Sequence, residues 1–579
     1  MIKYLKENKT EVILVACITI FAFLLRLISL KNFGNFWIDE IFSSYFATKS
    51  SAIEVVKTLC SEDLHVPLYF VLLHFWSKIF GDTPIMMRLM GVIISTLTIP
   101  ASYFIVKDLF KSKLSAICVA LFLSISAFNI HYSVELRFYG ISILFALVAT
   151  YYFVKCVLGF EKKYVVAYVI STLLLLYTYN FSFMYVFCQF AIGLIYLFKE
   201  NKQNLLKFIL TYFIIAVFYL PMFLFILIAT LRYNTSILKF VRDVFYFDIT
   251  WFLTYFITVF SNFYQQFIMN QPLLNFEYIK NIFQLKMFVF VYVPMFLGFL
   301  GTVLGIKKLK SENKNYALFF APAFLLLFIQ IVLVFNHSLA LIYRYTIIST
   351  TLLLIFAVLA FCELKKYKKF ALGLLIIWFL LNSLSYFVLT KNYPVFNRQI
   401  EYTMNLKNEA DKLNITSEDI VLIPCHDKLF RKEVPNGRHF SINLYDSFYL
   451  GIRPNDVKFV FGEDMAKKLN RDNAKTYLYP YIVFDEPLLE LKKNMQNEIF
   501  SKMTSGQRFI IVSDEELKNL KSNQAFLQQG VEYYQRSAIG NTLMAKIISD
   551  MINFSKQDLK FVKYIKVSEM FYIYVFEKE

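Results

Sequence analysis

Apolar runs of membrane-spanning length recur through the first two thirds of the chain. They lie at 11–30, 85–106, 114–130, 138–158, 164–179, 181–198, 208–231, 286–306, 316–335, 343–362 and 369–389. A helix needs about 20 residues to cross a bilayer. In hydrocarbon every backbone polar group must be satisfied internally, which restricts spanning segments to helices and closed barrels. The pattern predicts a mainly α membrane protein of about 11 spans. The composition agrees, because 58% hydrophobic and 19% aromatic residues lie outside the range of soluble domains. The formal net charge of +18 would suggest a nucleic-acid partner in a soluble protein. Here most basic residues of this region sit in short loops between apolar runs, and no nucleic-acid-binding motif accompanies them. The charge therefore reads as membrane orientation.

The basic loops alternate. Lys3, Lys6 and Lys9 precede the first run, and Lys107, Lys111 and Lys113 follow the second. Lys155, Lys162 and Lys163 follow the fourth, and Lys199, Lys202 and Lys207 the sixth. Lys307, Lys308, Lys310 and Lys314 follow the eighth, and Lys365, Lys366, Lys368 and Lys369 the tenth. The positive-inside rule puts the N-terminus in the cytoplasm and the region after the last span outside. The first run follows lysines, as in a signal peptide, but is too long and lacks a small-residue cleavage site, so a retained helix is expected. The apolar segment 65–80 is short and carries His74, Trp76 and Lys78, which suits a helix lying in the interface. A second interfacial helix is expected within Phe245–Phe267, in a long external segment of about 232–285 whose alternative reading is a further pair of short spans. From about residue 390 the runs shorten and charges become frequent. This divides the chain into a membrane domain, 1–389, and an extracytoplasmic soluble α/β or α+β domain, 390–579. Strands are expected there at 419–424, 508–513, 562–567 and 570–576, and helices at 485–503 and 514–528. The seven cysteines form no disulfide or zinc-knuckle pattern. Cys425-His426-Asp427 resembles a nucleophile cluster only in sequence, and such chemistry needs spatial adjacency.

The topology gathers the chain's polar motifs on one side. Asp39 and Glu40 follow the first span. Charges near a bilayer are costly and usually line a cavity or site, although a solvated surface loop would hold them too. His65-Val66-Pro67-Leu68-Tyr69 lies in the same external loop. His131-Tyr132-Ser133-Val134-Glu135-Leu136-Arg137 joins spans three and four, and the segment from His337 to Arg344 joins spans nine and ten.

In order and spacing these pieces resemble the integral-membrane glycosyltransferases of the GT-C fold. The resemblance is closest to the branch holding the protein O-mannosyltransferases and the aminoarabinose transferases of lipid A, and it covers the first 200 residues. It rests on Asp39-Glu40, on His65 to Tyr69, on Phe80 to Leu89 with Arg88, and on Tyr132 to Tyr139 with Glu135 and Arg137. Tyr177-Thr178-Tyr179-Asn180-Phe181 and Tyr343-Arg344-Tyr345 match more weakly. Two positions depart from the pattern: many relatives have Pro-Pro at Val66-Pro67, and many have His at Tyr179.

The resemblance implies transfer of a sugar from a polyprenyl-phosphate donor to an acceptor hydroxyl or similar nucleophile. A carboxylate must take the acceptor's proton, and Asp39 is the matching residue, with Glu40 beside it to orient the acceptor or an interfacial helix. Arginines suit the departing phosphate because their planar fork binds two oxygens. Arg137, Arg344 and Arg88 are the candidates, with Tyr345 beside them. Arg88 alternatively snorkels to the interface, and Arg137 alternatively pairs with Glu135. His65, Tyr69, Tyr132, Glu135 and Tyr139 complete the expected substrate-binding set. A divalent metal held by Asp39, His65 and Glu135 is an alternative role for those three. No cofactor is otherwise expected. The partners implied are the donor, a protein, lipid or glycan acceptor, and the bilayer. The rival reading is a transporter or flippase of lipid-linked sugars, which would favour paired repeats and broken helices at the midplane.

Overall fold

The structure is a computed structural model. It describes residues 9–31, 36, 38–62, 65–233, 249–261, 288–309, 314–335, 343–364 and 367–390, and beyond these residues 412–413, 419–425, 457–459, 476–480, 501, 503–513, 559–568 and 571–579. Two compact units are present. One comprises Met1–Phe33 and Ser43–Phe396, and the other Gly34–Phe42 and Asn397–Glu579.

The first unit is helical. Its opening helices are α1 (Lys9–Lys31), the second half of α2 (Ile38–Ala47), α3 (Ala52–Glu62) and α4 (Leu68–Phe80). There follow α5 (Pro84–Thr96), α6 (Thr98–Phe110), α7 (Lys113–Ile125), α8 (Ala127–Val134), α9 (Tyr139–Gly159), α10 (Lys162–Thr178), α11 (Ser182–Glu200) and α12 (Leu205–Tyr233). The rest are α13 (Ile249–Phe260), α14 (Val293–Leu309), α15 (Lys314–Phe335), α16 (Ile347–Cys362) and α17 (Lys368–Thr390). Among the described residues nine helices or continuous helix pairs are long and apolar enough to cross a membrane. The pair α7 and α8, bent by 57° at its break, makes a tenth if it is one span. The chain is a multi-pass membrane protein. The remaining expected span, 164–179, is α10, whose 17 residues make a rod of about 25 Å. The segment expected to lie in the interface is α4. Its 13 residues are too short to span, and it buries Tyr69, Phe70, Leu73 and His74 along one side. Of the second expected interfacial helix, α13 is described and the flanking residues 245–248 and 262–267 lie outside the described residues.

Charge closes one end of the bundle. The buried carboxylate of Glu11 at the start of α1 pairs with Lys107 of α6 and, at 3.4 Å, with Lys113 of α7. Asp108 pairs with Lys111 at 2.9 Å and with Lys155 at 2.5 Å, and accepts from the Tyr151 hydroxyl at 3.0 Å. Asn315 of α15 donates to the Leu109 carbonyl at 2.7 Å. Lysines that read from sequence only as orientation signals thus also tie helix ends together. Inside the bundle, Tyr168 donates to Gln189 at 3.0 Å, and Thr150 shares a hydrogen bond of 2.8 Å with Tyr185. Such side-chain bonds join helices where lipid gives no hydrophobic drive to associate.

In the second unit the strands β1 (Ile420–Cys425), β2 (Val457–Phe459), β3 (Thr476–Pro480), β4 (Arg508–Ser513), β5 (Leu559–Ser568) and β6 (Phe571–Lys578) form one sheet in the order β2-β3-β1-β4-β6-β5. The first four are parallel, while β6 pairs antiparallel with β4 and β5. The four strands read from the sequence are β1, β4, β5 and β6. The two short strands β2 and β3 were not expected. The expected helix 514–528, most of the expected helix 485–503, and His426-Asp427 lie outside the described residues.

Candidate active site

The end of the bundle away from the Glu11 cluster carries the sequence-predicted motifs of the first unit. Segment 131–137 is positioned by two close backbone approaches. A Cβ on Gly140, in the first turn of α9, would stand 2.8 Å from the Tyr132 carbonyl oxygen, and one on Gly91 of α5 would stand 3.0 Å from that of Ser133. Only a residue without a side chain allows that contact. The segment packed there is almost wholly buried: Tyr132, Glu135 and Tyr139 are each 1% exposed and Arg137 6%.

Arg137 is held from more than one side. Nη1 donates to the Ser43 hydroxyl of α2 at 3.3 Å, Nη2 donates to His65 Nε2 at 3.0 Å, and the guanidinium lies 5.2 Å from the Phe138 ring centroid. A guanidinium has no acceptor, so in this bond His65 Nε2 accepts. The half-buried His65 also meets the Phe138 ring at 5.4 Å, and the buried Tyr69 meets it at 6.1 Å.

Arg344 arrives from the other half of the bundle, on the 3-10 turn Tyr343–Thr346 that leads into α16. Its guanidinium lies 5.6 Å from the ring of Tyr345, which packs on Phe181 at 4.5 Å. Tyr179 bridges the halves, since its ring meets those of Phe138 at 5.5 Å and Tyr139 at 6.0 Å. Tyr139 itself meets Tyr132 at 5.2 Å and lies within electrostatic reach of Arg344, Arg137, Tyr345 and Glu135. His65, Tyr69, Tyr132, Arg137, Tyr139, Arg344 and Tyr345 are therefore one cluster of cations and aromatic rings.

The other candidates stand differently. Arg88 is 1% exposed, which rules out the interface-anchor alternative: a snorkelling arginine keeps its head in water. The Glu135 carboxylate lies 3.9 Å from His131 Nε2, and its backbone carbonyl accepts from the Arg137 amide at 2.7 Å. Among the described residues no group of three His, Cys, Asp or Glu side chains is placed to hold a metal ion. Asp39 and Glu40 stand in the first turn of α2, Asp39 half-buried and Glu40 fully buried. His337 lies outside the described residues.

Sequence reasoning passed over Ser43, Asn180 and Gln330. Asn180 accepts from the Val66 amide at 3.0 Å, and Gln330 donates to the Tyr345 carbonyl at 3.0 Å. Ser43 and Gln330 carried no signal, being ordinary polar residues in amphipathic or apolar helices. Asn180 lay inside a motif whose match was weak.

No family model matches the sequence, and no curated protein does either. Solved structures do match. ArnT from Cupriavidus metallidurans in the apo state superposes with a TM-score of 0.53 at 9% identity, over 98% of each chain. The same protein bound to undecaprenyl phosphate gives 0.50 at 10% identity, over 97% of each chain. At such identity the likeness speaks to architecture, and it runs through nearly the whole of both chains: the chain has the GT-C fold of the membrane glycosyltransferases.

Proposed function

We propose that the chain is a glycosyltransferase that moves a hexose or pentose from a polyprenyl-phosphate donor to an acceptor at the outer face of the membrane. The acceptor oxygen, or a similar nucleophile, attacks the anomeric carbon as its proton passes to the Asp39 carboxylate. The bond from that carbon to the phosphate oxygen breaks, and polyprenyl phosphate leaves. Arg137 and Arg344 hold the phosphate in the ground state and stabilise the charge it gains on departure. Arg88 is a third phosphate ligand, and Glu40 supports the acceptor beside Asp39. His65, Tyr69, Tyr132, Glu135, Tyr139 and Tyr345 form the walls of the donor site.

The observation that carries this reading is the approach of Arg137 and Arg344, from distant parts of the sequence, to the buried Tyr139. Two cations fixed among aromatic rings in a membrane bundle suit an anionic headgroup on a lipid. That a protein of the same fold has been crystallised with undecaprenyl phosphate supports the choice of lipid. The test is transfer of a radiolabelled sugar from synthetic polyprenyl-phosphate sugars by the purified chain, over a panel of protein, lipid and glycan acceptors. Release or transfer that disappears with Arg137→Ala and Arg344→Ala is expected. Movement of the intact donor across vesicle membranes, without cleavage, would replace the enzyme by a flippase.

A further inference from the structure

The two arginine segments are tied together by one dipeptide, Tyr179-Asn180, in the short connection between α10 and α11. The Tyr179 side chain is 2% exposed. Its hydroxyl reaches the Tyr345 carbonyl at 3.2 Å and the Arg344 carbonyl at 3.4 Å. Gln330 supplies a second donor to the Tyr345 carbonyl at 3.0 Å. A single 3-10 turn has weak hydrogen bonding of its own, so the conformation of the turn bearing Arg344 rests on these outside donors. Asn180 faces the other way. Its carboxamide oxygen accepts from the Val66 amide at 3.0 Å. Val66 follows His65, whose Nε2 takes the Arg137 guanidinium at 3.0 Å.

From this geometry we infer that Tyr179 and Asn180 are positioning residues that set the separation of the two guanidiniums. Tyr179 acts on Arg344 through its backbone, and Asn180 acts on Arg137 through Val66 and His65. The inference rests on the reading of both arginines as phosphate ligands. A phosphate shared between two cations is held well only if neither has to reorganise when it arrives. The pair therefore controls affinity for the anionic headgroup and leaves the apolar grip on the lipid tail alone.

The experiment measures binding of undecaprenyl phosphate, with the phosphate-free polyprenol as control, to the full chain in lipid nanodiscs. Tyr179→Phe and Asn180→Ala should each weaken the phosphate lipid by about ten-fold and leave polyprenol binding unchanged. Asn180→Asp retains an acceptor oxygen and should recover part of the loss. Double-mutant cycles carry the assignment, because residues acting through one another give non-additive effects. The Tyr179→Phe loss should vanish in an Arg344→Ala background and persist with Arg137→Ala, and the Asn180→Ala loss should do the reverse. Losses that add in full to those of the arginines would overturn the inference, as would equal weakening of both lipids. If Tyr179→Phe fails to fold, the Asn180 variants and their cycle decide alone. Normal phosphate-lipid binding in both arginine variants would instead refute the functional reading beneath it.

Discussion

Nη2 of Arg137 lies 3.0 Å from Nε2 of His65. The bond is one-directional, because only the imidazole can accept. It aims a buried cation, Arg137 being 6% exposed. Replacing His65 by Gln supplies another acceptor and should cost lipid-phosphate affinity only a few-fold. His65→Ala should cost more, and His65→Arg most of all, since it sets a second cation against the first. Titrations of undecaprenyl phosphate against the three variants rank them. An alanine variant that binds like the parent would show that Arg137 is held without His65.

Asp39→Asn keeps the size of the side chain and removes its basicity. Turnover should fall by roughly 10²–10⁴-fold if the carboxylate is the general base, while donor affinity changes little. Single-turnover rates measured beside donor binding separate the two quantities. Normal turnover in this variant would remove Asp39 from the mechanism. A parallel fall in affinity would move it to the donor site.

The sequence was most legible where a physical constraint acts over many residues. Hydrocarbon admits few backbone solutions, so the helix positions followed from run length, and β4 fell on the expected residues, Arg508–Ser513. The short strands β2 and β3 offered only three and five residues, too few to separate from loop. The arginines of the site were legible because charged side chains are rare in a membrane bundle. Their supports were not. Tyr179 and Asn180 work through hydrogen bonds to backbone atoms of residues 166 and 114 positions away, and such bonds leave no local pattern. The burial of Arg88 was also hidden, since a span-end position permits either a snorkelling or an inward side chain.

Membrane sidedness is open to direct measurement. The lysine alternation expects residues 107–113 in the cytoplasm and the loop carrying 65–84 outside. Lys111 has a side chain 75% exposed, and Asp82 is exposed as well. In a cysteine-free background, an impermeant maleimide applied to intact cells should label Asp82→Cys and spare Lys111→Cys until the membrane is opened. The opposite pattern would place the candidate site on the cytoplasmic side. Val134 is fully buried and unsuited to such labelling.

In the sheet unit, Arg508 of β4 grips Asp419 through two hydrogen bonds, one of 2.7 Å from Nε, and its Nη1 donates to the Leu413 carbonyl at 2.9 Å. Asp419 is 6% exposed. The carboxylate bonds hold the guanidinium charged more firmly than in water. Arg508→Ala removes both of these bonds from a buried carboxylate and should destabilise this unit by about 3 kcal/mol. Asp419→Asn, which removes the buried charge, should restore much of that in the double variant. Thermal unfolding of the four proteins of the cycle gives the coupling. A double variant no more stable than Arg508→Ala would mean that the cost came from lost contacts and not from the charge of the buried acid.

Arg26 sits in α1, five residues before its end, and is 2% exposed. Its Nη1 donates to the Ala22 carbonyl at 3.1 Å, and its Nε has no hydrogen-bond partner among the described residues. The side chain borders a cavity of about 10 Å³, lined also by Ser95, Thr98, Asn129 and Gly140, about the size that holds one water. A charge at the centre of a span costs about 2.5–3.5 kcal/mol by insertion scales, and less toward its end. Ser95 already donates to the Val92 carbonyl at 3.2 Å, and Asn129 already bonds Ser126 and Thr351, so neither depends on Arg26. Arg26→Met fills nearly the same volume without the charge. It should raise the melting temperature in detergent, as replacing buried ions by apolar groups of similar size often stabilises. A fall of several degrees would show that the guanidinium has a counter-charge in the folded protein. Repeating the melt in nanodiscs with and without anionic lipid would then identify it: a loss confined to anionic bilayers assigns that charge to a headgroup, and a loss in both assigns it to the protein.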